Sequence, residues 1–113
     1  PRAVIALNLP SLDKYEPLVA PGGFLIVNES MVNREPTRTD IHWLMIPANN
    51  IARELGNERA ANMVLLGALE ANMKALPDGA LERALEAHTA ERLKKFISLN
   101  IEAMHRGAEY KVD

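Results

Sequence analysis

Asparagine side chains follow each of three apolar stretches in the first half of the chain. These are Asn8, Asn28 and the pair Asn49 and Asn50. An asparagine side chain carries both a hydrogen-bond donor and an acceptor, which suits recognition of an amide-rich ligand or of peptide backbone. Asparagine also tolerates left-handed turns and caps helices, so turn formation is the competing interpretation of the same residues.

The other reactive residue types give no pattern of a catalytic or metal centre. The histidines His42, His88 and His105 lie far apart, and no Asp/Glu/His group has the spacing of metal ligands. The serines lie in no glycine-flanked elbow. The chain has no cysteine, which excludes disulfides, a cysteine nucleophile and thiolate ligation of zinc or iron–sulfur clusters. We predict no catalytic residue, no metal ligand, and histidines that are exposed or partly buried.

Two further motifs favour structural roles. The glycine pair Gly22 and Gly23 precedes an apolar run, whereas a phosphate-binding loop needs its glycines after a strand. The glycine pair therefore predicts a helix-to-strand turn. The acidic residues Asp13 and Glu16 are predicted on the solvent face of a short helix.

The elements that would position the asparagines are three strands and a helix. Continuous apolar runs at residues 3–7 and 24–27 are typical of strands buried on both faces. Ser11 is the predicted N-cap of a short helix between them. Strand, helix and strand in so few residues indicate a crossover with parallel strands. Residues 41–46 predict a third strand.

Because ligands bind outside the carboxyl ends of parallel strands, the strand ends define the candidate site. We expect Asn8, Asn28 and Asn49 to lie at one edge of the sheet and to face a shared cleft. This expectation depends on the third strand running parallel to the first two.

The second half of the chain is predicted to be all helical. A short helix capped by Asn49 or Asn50 is followed by one over residues 58–76, in which residues 63–69 contain no polar side chain. Such a helix must be covered on several sides. Asp78 is the predicted cap of the next helix, with a break near Thr89. The fold class is α/β, with three layers (α/β/α) and a mostly parallel sheet.

Length and charge restrict the protein class further. The 113 residues fit a single domain, and the net charge of −2 favours neither nucleic acid nor a membrane surface as a partner. No apolar run approaches the roughly 20 residues that span a bilayer, and no secretory signal is present, so we predict a cytoplasmic protein. The chain starts at Pro1 and enters a strand at Ala3, which predicts a piece of something longer.

With these segments in place, the chain resembles the gamma subunit, or gamma-type domain, of 2-oxoacid:ferredoxin oxidoreductases such as pyruvate, 2-oxoglutarate or ketoisovalerate synthase. The resemblance covers essentially the whole chain, and its most specific stretch is residues 61–69. The other matching segments are residues 5–8, 12–15, 21–28, 46–48, 51–52 and 54–57, with Asn100, Ile101, Ala103 and Gly107 in the last helix.

The resemblance implies a function for the complex rather than for the chain alone. Such enzymes oxidatively decarboxylate a 2-oxo acid, form the acyl-CoA and pass electrons to ferredoxin. Thiamine diphosphate, Mg²⁺ and iron–sulfur clusters are then expected on other subunits, with no cofactor on this chain. Its expected role is structural and docking, with Asn8, Asn28 and Asn49 as candidates for lining the coenzyme A cleft.

The resemblance also implies a departure and leaves alternatives open. The family's gamma portion normally begins with a glycine-rich strand–loop–helix segment that this chain lacks, so residues 1–113 correspond to the C-terminal portion of that domain. The first alternative is a fragment of an S-adenosylmethionine-dependent methyltransferase, in which a Pro-Gly-Gly turn precedes a late strand. The second is a free-standing binding module, for example for a nucleotide.

Overall fold

The computed structural model describes residues 1–74, 76–77 and 79–112. Three strands and five α-helices form in these residues, joined by short 3-10 turns. The strands are β1 (Ala3–Ala6), β2 (Phe24–Asn28) and β3 (His42–Ile46), and the helices are α1 (Leu9–Tyr15), α2 (Ala48–Glu54), α3 (Ala61–Met73), α4 (Ala80–His88) and α5 (Ile97–Ala108).

The three strands form one sheet in the order β1-β2-β3, and both pairs are parallel. In register, Ala6 of β1 lies opposite Val27, and Asn28 lies opposite Ile46 of β3. The predicted parallel direction of the third strand is therefore confirmed. The carboxyl ends of all three strands meet at one edge of the sheet, which we call the carboxyl edge.

Each face of the sheet carries its own buried apolar core, which gives the predicted three layers. The side chains of successive residues point to opposite faces, so Leu25 and Val27 lie in one core and Ile26 in the other. The first core also contains residues of β1, of α1 and the turn after it, and of the segment between β2 and β3: Ala6, Leu12, Val19, Val32 and Ile41. The second contains residues of β3, of α2, of α3 and the turn before it, and of α5: Ile46, Ala48, Ile51, Ala52, Ala60, Val64, Leu65, Ala68 and Ala103.

Strand β1 and helix α1 are less buried than their sequence predicts. Only Ala6 is fully buried in β1, because β1 is an edge strand with a neighbour on one side only. Leu7 is 44% exposed. On α1 and the turn after it, Leu12 and Val19 are buried as their spacing indicates, whereas Leu18 is 54% exposed.

Helix α3 lies between the sheet and α5, as its apolar sequence predicts. It contacts β1, β2, α2 and α5, with α5 its most extensive partner. Two glycines allow the backbones to approach: a Cβ placed on Gly67 would overlap the carbonyl oxygen of Met104, and one on Gly107 would overlap that of Val64. Glycine is required at both positions by this close packing and not by backbone dihedral angles.

The boundaries of the helical half differ from the predicted ones in detail. A 3-10 turn precedes α3, and Lys74 ends the helix in the left-handed conformation, with φ of 53°. Asp78 lies outside the described residues. The predicted break near Thr89 is confirmed, since Thr89 is extended and ends α4.

No helix in the described residues is long and apolar enough to cross a membrane.

Candidate functional site

The centre of the candidate site is Asn28, the last residue of β2. Its side chain is buried, with 4% of the residue exposed, and both of its amide groups are bonded. Nδ2 donates to Oδ1 of Asn49 at 2.9 Å, and Oδ1 accepts from the backbone amide of Ser30 at 3.2 Å. A buried side-chain amide is stabilised when its oxygen and its nitrogen are both hydrogen-bonded, so Asn28 holds its partners Asn49 and Ser30 in place.

Asn49 and Asn50 lie in the first turn of α2 and do not cap it. The N-cap is Pro47, which makes no side-chain hydrogen bond, so the predicted capping role is wrong. Oδ1 of Asn50 accepts from the hydroxyl of Ser30 at 3.5 Å. The side chains of Asn49 and Asn50 are thus directed to the end of β2. Their hydrogen bonds link the end of β2 to the helix that follows β3.

Asn8 lies at the same edge but makes its own local bond. Its Oδ1 accepts from the backbone amide of Ser11 at 3.0 Å, which makes Asn8 the N-cap of α1. The sequence assigned this cap to Ser11, three residues too late. The structure therefore joins Asn28 and Asn49 directly and places Asn8 at the end of the neighbouring strand; the shared cleft stays a prediction.

A second polar cluster, which sequence reasoning missed, holds the segment between β2 and β3. Glu16 was predicted on a solvent face but is 4% exposed. Its carboxylate accepts from the backbone amides of Thr37 at 2.6 Å and Arg38 at 3.0 Å, and from the guanidinium of Arg34 at 3.1 Å. Arg34 also contacts Asp13 at 2.7 Å. The sequence signal that could have revealed it is the polar loop with two arginines, Arg34 and Arg38, that follows the acidic residues Asp13 and Glu16.

The hydrogen bonds at Glu16 determine its ionisation. Burial by itself raises the pKa of this carboxyl group, but the donors of Arg38, Thr37 and Arg34 outweigh burial and lower its pKa below the ordinary 4.5. The folded state therefore binds a proton at Glu16 less readily than the unfolded chain. The stabilisation from Glu16 is present above pH 4.5 and is lost as the pH falls through the lower, folded-state pKa.

We expect Glu16→Gln to lower the free energy of unfolding by about 1–3 kcal/mol at pH 7. The variant offers a neutral amide to the donors that bond the charged carboxylate in the wild type, and these hydrogen bonds are therefore weaker or lost. Below pH 4.5 the difference between wild type and variant should shrink, since the wild-type carboxylate becomes protonated. Urea unfolding of both proteins from pH 7 to pH 3 measures this. Glu35→Gln at an exposed position is the control and should follow the wild type. A difference that stays constant over this pH range would contradict the assignment.

Titratable groups do not form a metal site in the part of the chain that the structure describes, where no three His, Cys, Asp or Glu side chains come together. His42, His88 and His105 are exposed residues. Nε2 of His105 lies 3.5 Å from the carboxylate of Glu82, beside a cavity of about 540 Å³ between α3, α4 and α5. None of the asparagines of the carboxyl edge lines this cavity.

The fold and its sequence match a known family. Residues 1–110 match the family described as "Pyruvate ferredoxin/flavodoxin oxidoreductase". The chain belongs to this family. Membership excludes the methyltransferase alternative, and it confirms the family resemblance read from residues 61–69 and the segments around them.

Two curated relatives of this chain are longer than it is. It is 32% identical over 111 residues to ketoisovalerate oxidoreductase subunit VorA of Methanothermobacter thermautotrophicus, and 28% identical to VorA of Methanothermobacter marburgensis. In both cases the match covers 97% of this chain and 23% of the relative. The chain thus spans about a quarter of the length of these relatives.

Two solved structures share the fold. The gamma subunit of a keto/oxoacid ferredoxin oxidoreductase from Geobacter sulfurreducens has a TM-score of 0.84 and 29% identity, over 96% of this chain and 62% of that one. The 2-oxoglutarate:ferredoxin oxidoreductase of Magnetococcus marinus, solved with 2-oxoglutarate, coenzyme A and succinyl-CoA bound, has a TM-score of 0.77 and 22% identity, over 96% of this chain and 19% of that one. The second comparison supports the fold alone.

Proposed function

We propose that this chain is part of the gamma portion of a 2-oxoacid:ferredoxin oxidoreductase. The complete enzyme oxidatively decarboxylates a 2-oxo acid, forms the acyl-CoA and passes the electrons to ferredoxin. The observation that carries the proposal is the family match over residues 1–110, together with a fold shared with a gamma subunit. The VorA relatives make ketoisovalerate one of the 2-oxo acids to test.

Within that enzyme the chain has a structural and docking role, and its partners are the other subunits or domains. Thiamine diphosphate, Mg²⁺ and iron–sulfur clusters belong to those partners. The absence of cysteine supports this division, since thiolates are the usual ligands of iron–sulfur clusters. The enzyme works in the cytoplasm, where its acyl-CoA product and its electron acceptor are available.

The carboxyl edge, with Asn8, Asn28 and Asn49, lines the coenzyme A cleft. Its position supports this, because ligands of open α/β sheets bind outside the carboxyl ends of parallel strands. The pairing of Asn28 with Asn49 at 2.9 Å supports it further. A buried amide that holds a second, more exposed amide in place is an arrangement suited to presenting hydrogen-bonding groups to a ligand.

We expect Asn28→Ala in the complete enzyme to raise the KM for coenzyme A about fivefold and to leave the KM for the 2-oxo acid unchanged. The reason is that Asn28 positions Asn49 and the turn at Ser30, and one such hydrogen bond contributes about 1 kcal/mol. Steady-state kinetics with each substrate varied in turn measures the two constants.

The matched control is Asn57→Ala. Asn57 also bonds a backbone amide, that of Arg59 at 2.9 Å, but it lies beyond the other end of α2 from Asn49. Its KM for coenzyme A should equal that of the wild type. An unchanged KM in a folded, assembled Asn28→Ala enzyme would remove the carboxyl edge from the coenzyme A cleft.

A further inference from the structure

Strand β3 lies at the edge of the sheet but has the sequence of an interior strand. Strand β2 (Phe24–Asn28) has a neighbour on both sides, and all of its residues except the first are buried. Strand β3 is as apolar, yet β2 is its only neighbour among the described residues, and only Ile46 is buried. Trp43 and Met45 are half-buried on one face of the sheet and Leu44 on the other. Such an apolar run is typical of a strand inside a parallel sheet.

The backbone of β3 has unpaired hydrogen-bonding groups on its outer side. The amide of His42 donates to the carbonyl oxygen of Gly23 at 2.8 Å, so the backbone groups of His42 point to β2. Successive residues of a strand alternate in this direction, and Leu44 therefore also points to β2. The N–H and C=O groups of Trp43 and Met45 point away from the sheet, where no strand of the described residues pairs with them.

This outer edge lacks the features that keep other chains away from exposed strands. Natural edge strands carry charged side chains, proline or a bulge. Residues 41–46 contain no proline, lysine, arginine, aspartate or glutamate, and their register against β2 runs without a bulge. The unpaired groups of the edge are those that bind another extended backbone.

The edge is complementary to itself. If two β3 strands pair antiparallel about a twofold axis next to Leu44, Trp43 lies opposite Met45 of the second copy, and both residues use their free backbone groups. The indole ring then lies beside a thioether, which is a favourable contact. No two charged groups of residues 41–46 meet, since His42 lies opposite Ile46 of the second copy.

The neighbouring registers fit less well. With the axis at Met45, Trp43 would lie opposite Pro47 of the second copy, which has no N–H to donate. With the axis at Trp43, Met45 would lie opposite Ile41, which is in a bend before the strand. The register centred on Leu44 pairs the outward-facing residues of β3 with each other alone.

We infer that the outer edge of β3 binds the same edge of a second copy of this chain, so that one continuous sheet runs through both copies. The pairing uses the same surface on both partners and is therefore closed. Pairing of β3 with the β1 edge of a second copy would be head-to-tail and would leave a free edge at each end. The inference goes beyond the proposed function and does not depend on it.

The test places one cysteine next to the twofold axis. Leu44 lies opposite Leu44 of the second copy at a position without hydrogen bonds, where Cα atoms are about 4.5 Å apart and a disulfide fits. In the complete enzyme treated with diamide, we expect Leu44→Cys to join two copies of the tryptic peptide of residues 39–53. Mass spectrometry detects the joined peptide, which reduction separates. Leu69→Cys, at a half-buried position of α3, is the control and should join to no second copy of itself.

Hydrogen exchange of the wild-type enzyme gives a second measurement that needs no variant. The amides of Trp43 and Met45 should exchange as slowly as the amide of Leu44, because all of them are hydrogen-bonded in the paired strands. In a free edge only Leu44 is protected. Fragmentation of the peptide of residues 39–53 separates the amides.

Two results would overturn the inference, and they differ in meaning. Fast exchange at Trp43 and Met45 would mean that the edge is free. Slow exchange without the joined peptide in an assembled Leu44→Cys enzyme would mean that a different chain covers the edge. Neither result depends on the reaction that the enzyme catalyses, so the inference and the proposed function fail separately.

Discussion

Gly107→Ala is expected to lower the free energy of unfolding by about 3 kcal/mol or more. A methyl group at this position overlaps the carbonyl oxygen of Val64 and comes within 3.1 Å of the backbone nitrogen of Ala68. Both obstacles are backbone atoms of α3, so neither can rotate aside, and α3 and α5 have to separate. Overpacking a close-packed contact typically costs about 1–3 kcal/mol, and more where the backbone must shift.

Urea unfolding followed by circular dichroism measures this loss. Alanine is a better helix former than glycine by about 1 kcal/mol, so intrinsic propensity alone predicts that Gly107→Ala stabilises α5. The sign of the effect therefore separates packing from propensity. Glu102→Ala, on an exposed position of the same helix, is the control and should remain within about 0.5 kcal/mol of the wild type. A stabilised Gly107→Ala variant would show that α3 and α5 are not in backbone contact.

Leu65→Ala is the second change with a large expected effect, a loss of about 2–5 kcal/mol. Leu65 is fully buried in the core between the sheet and the α3–α5 pair. Truncation removes apolar contacts and leaves a cavity that its rigid neighbours fill only in part. The same urea titration gives the value.

The neighbouring Leu66 provides a matched control with the same side chain. It is half-buried and lines a cavity of about 270 Å³ with Leu81 and Leu85 of α4, so it has fewer packed neighbours to lose. We expect Leu66→Ala to cost clearly less than Leu65→Ala. Equal losses at the two positions would mean that α3 is rotated relative to the sheet, or that another subunit covers Leu66.

The sequence predicted the parts of the fold that depend on periodicity and on chain-breaking residues. Apolar runs located the strands to within one residue, and Gly22, with φ of 80°, forms the predicted turn before β2. The absence of polar side chains at residues 63–69 predicted that α3 is covered on more than one side.

Burial and capping were predicted less well, because they depend on contacts distant in sequence. Glu16 reads as a solvent-exposed residue of a short helix until the segment around Thr37 folds over it. Ser11 and Asn8 are both suitable caps, and the difference of three residues is decided by where β1 ends. The sequence does not show which of Leu65 and Leu66 is more deeply buried, because both lie in a uniformly apolar run. Packing of α3 against α5 decides which side of α3 faces the sheet.

The candidate site was predicted in its position and not in its bonding. Three apolar runs that are predicted to form parallel strands place Asn8, Asn28 and Asn49 at one edge of the sheet. The sequence does not indicate that Asn28 is buried, or that it donates to Asn49. These features follow from the register of β2 against β3 and from α2 starting at Ala48, directly after the strand.

The proposed 2-oxoacid:ferredoxin oxidoreductase activity is tested most directly by an activity measurement on the complete enzyme that contains this chain, purified without oxygen. Ferredoxin reduction is followed with pyruvate, 2-oxoglutarate or ketoisovalerate, with and without coenzyme A. We expect at least one of these 2-oxo acids to reduce ferredoxin and coenzyme A to be required, with acyl-CoA formed in equal amount to the acid consumed. Turnover of none of the three, or reduction that is the same without coenzyme A, would contradict it.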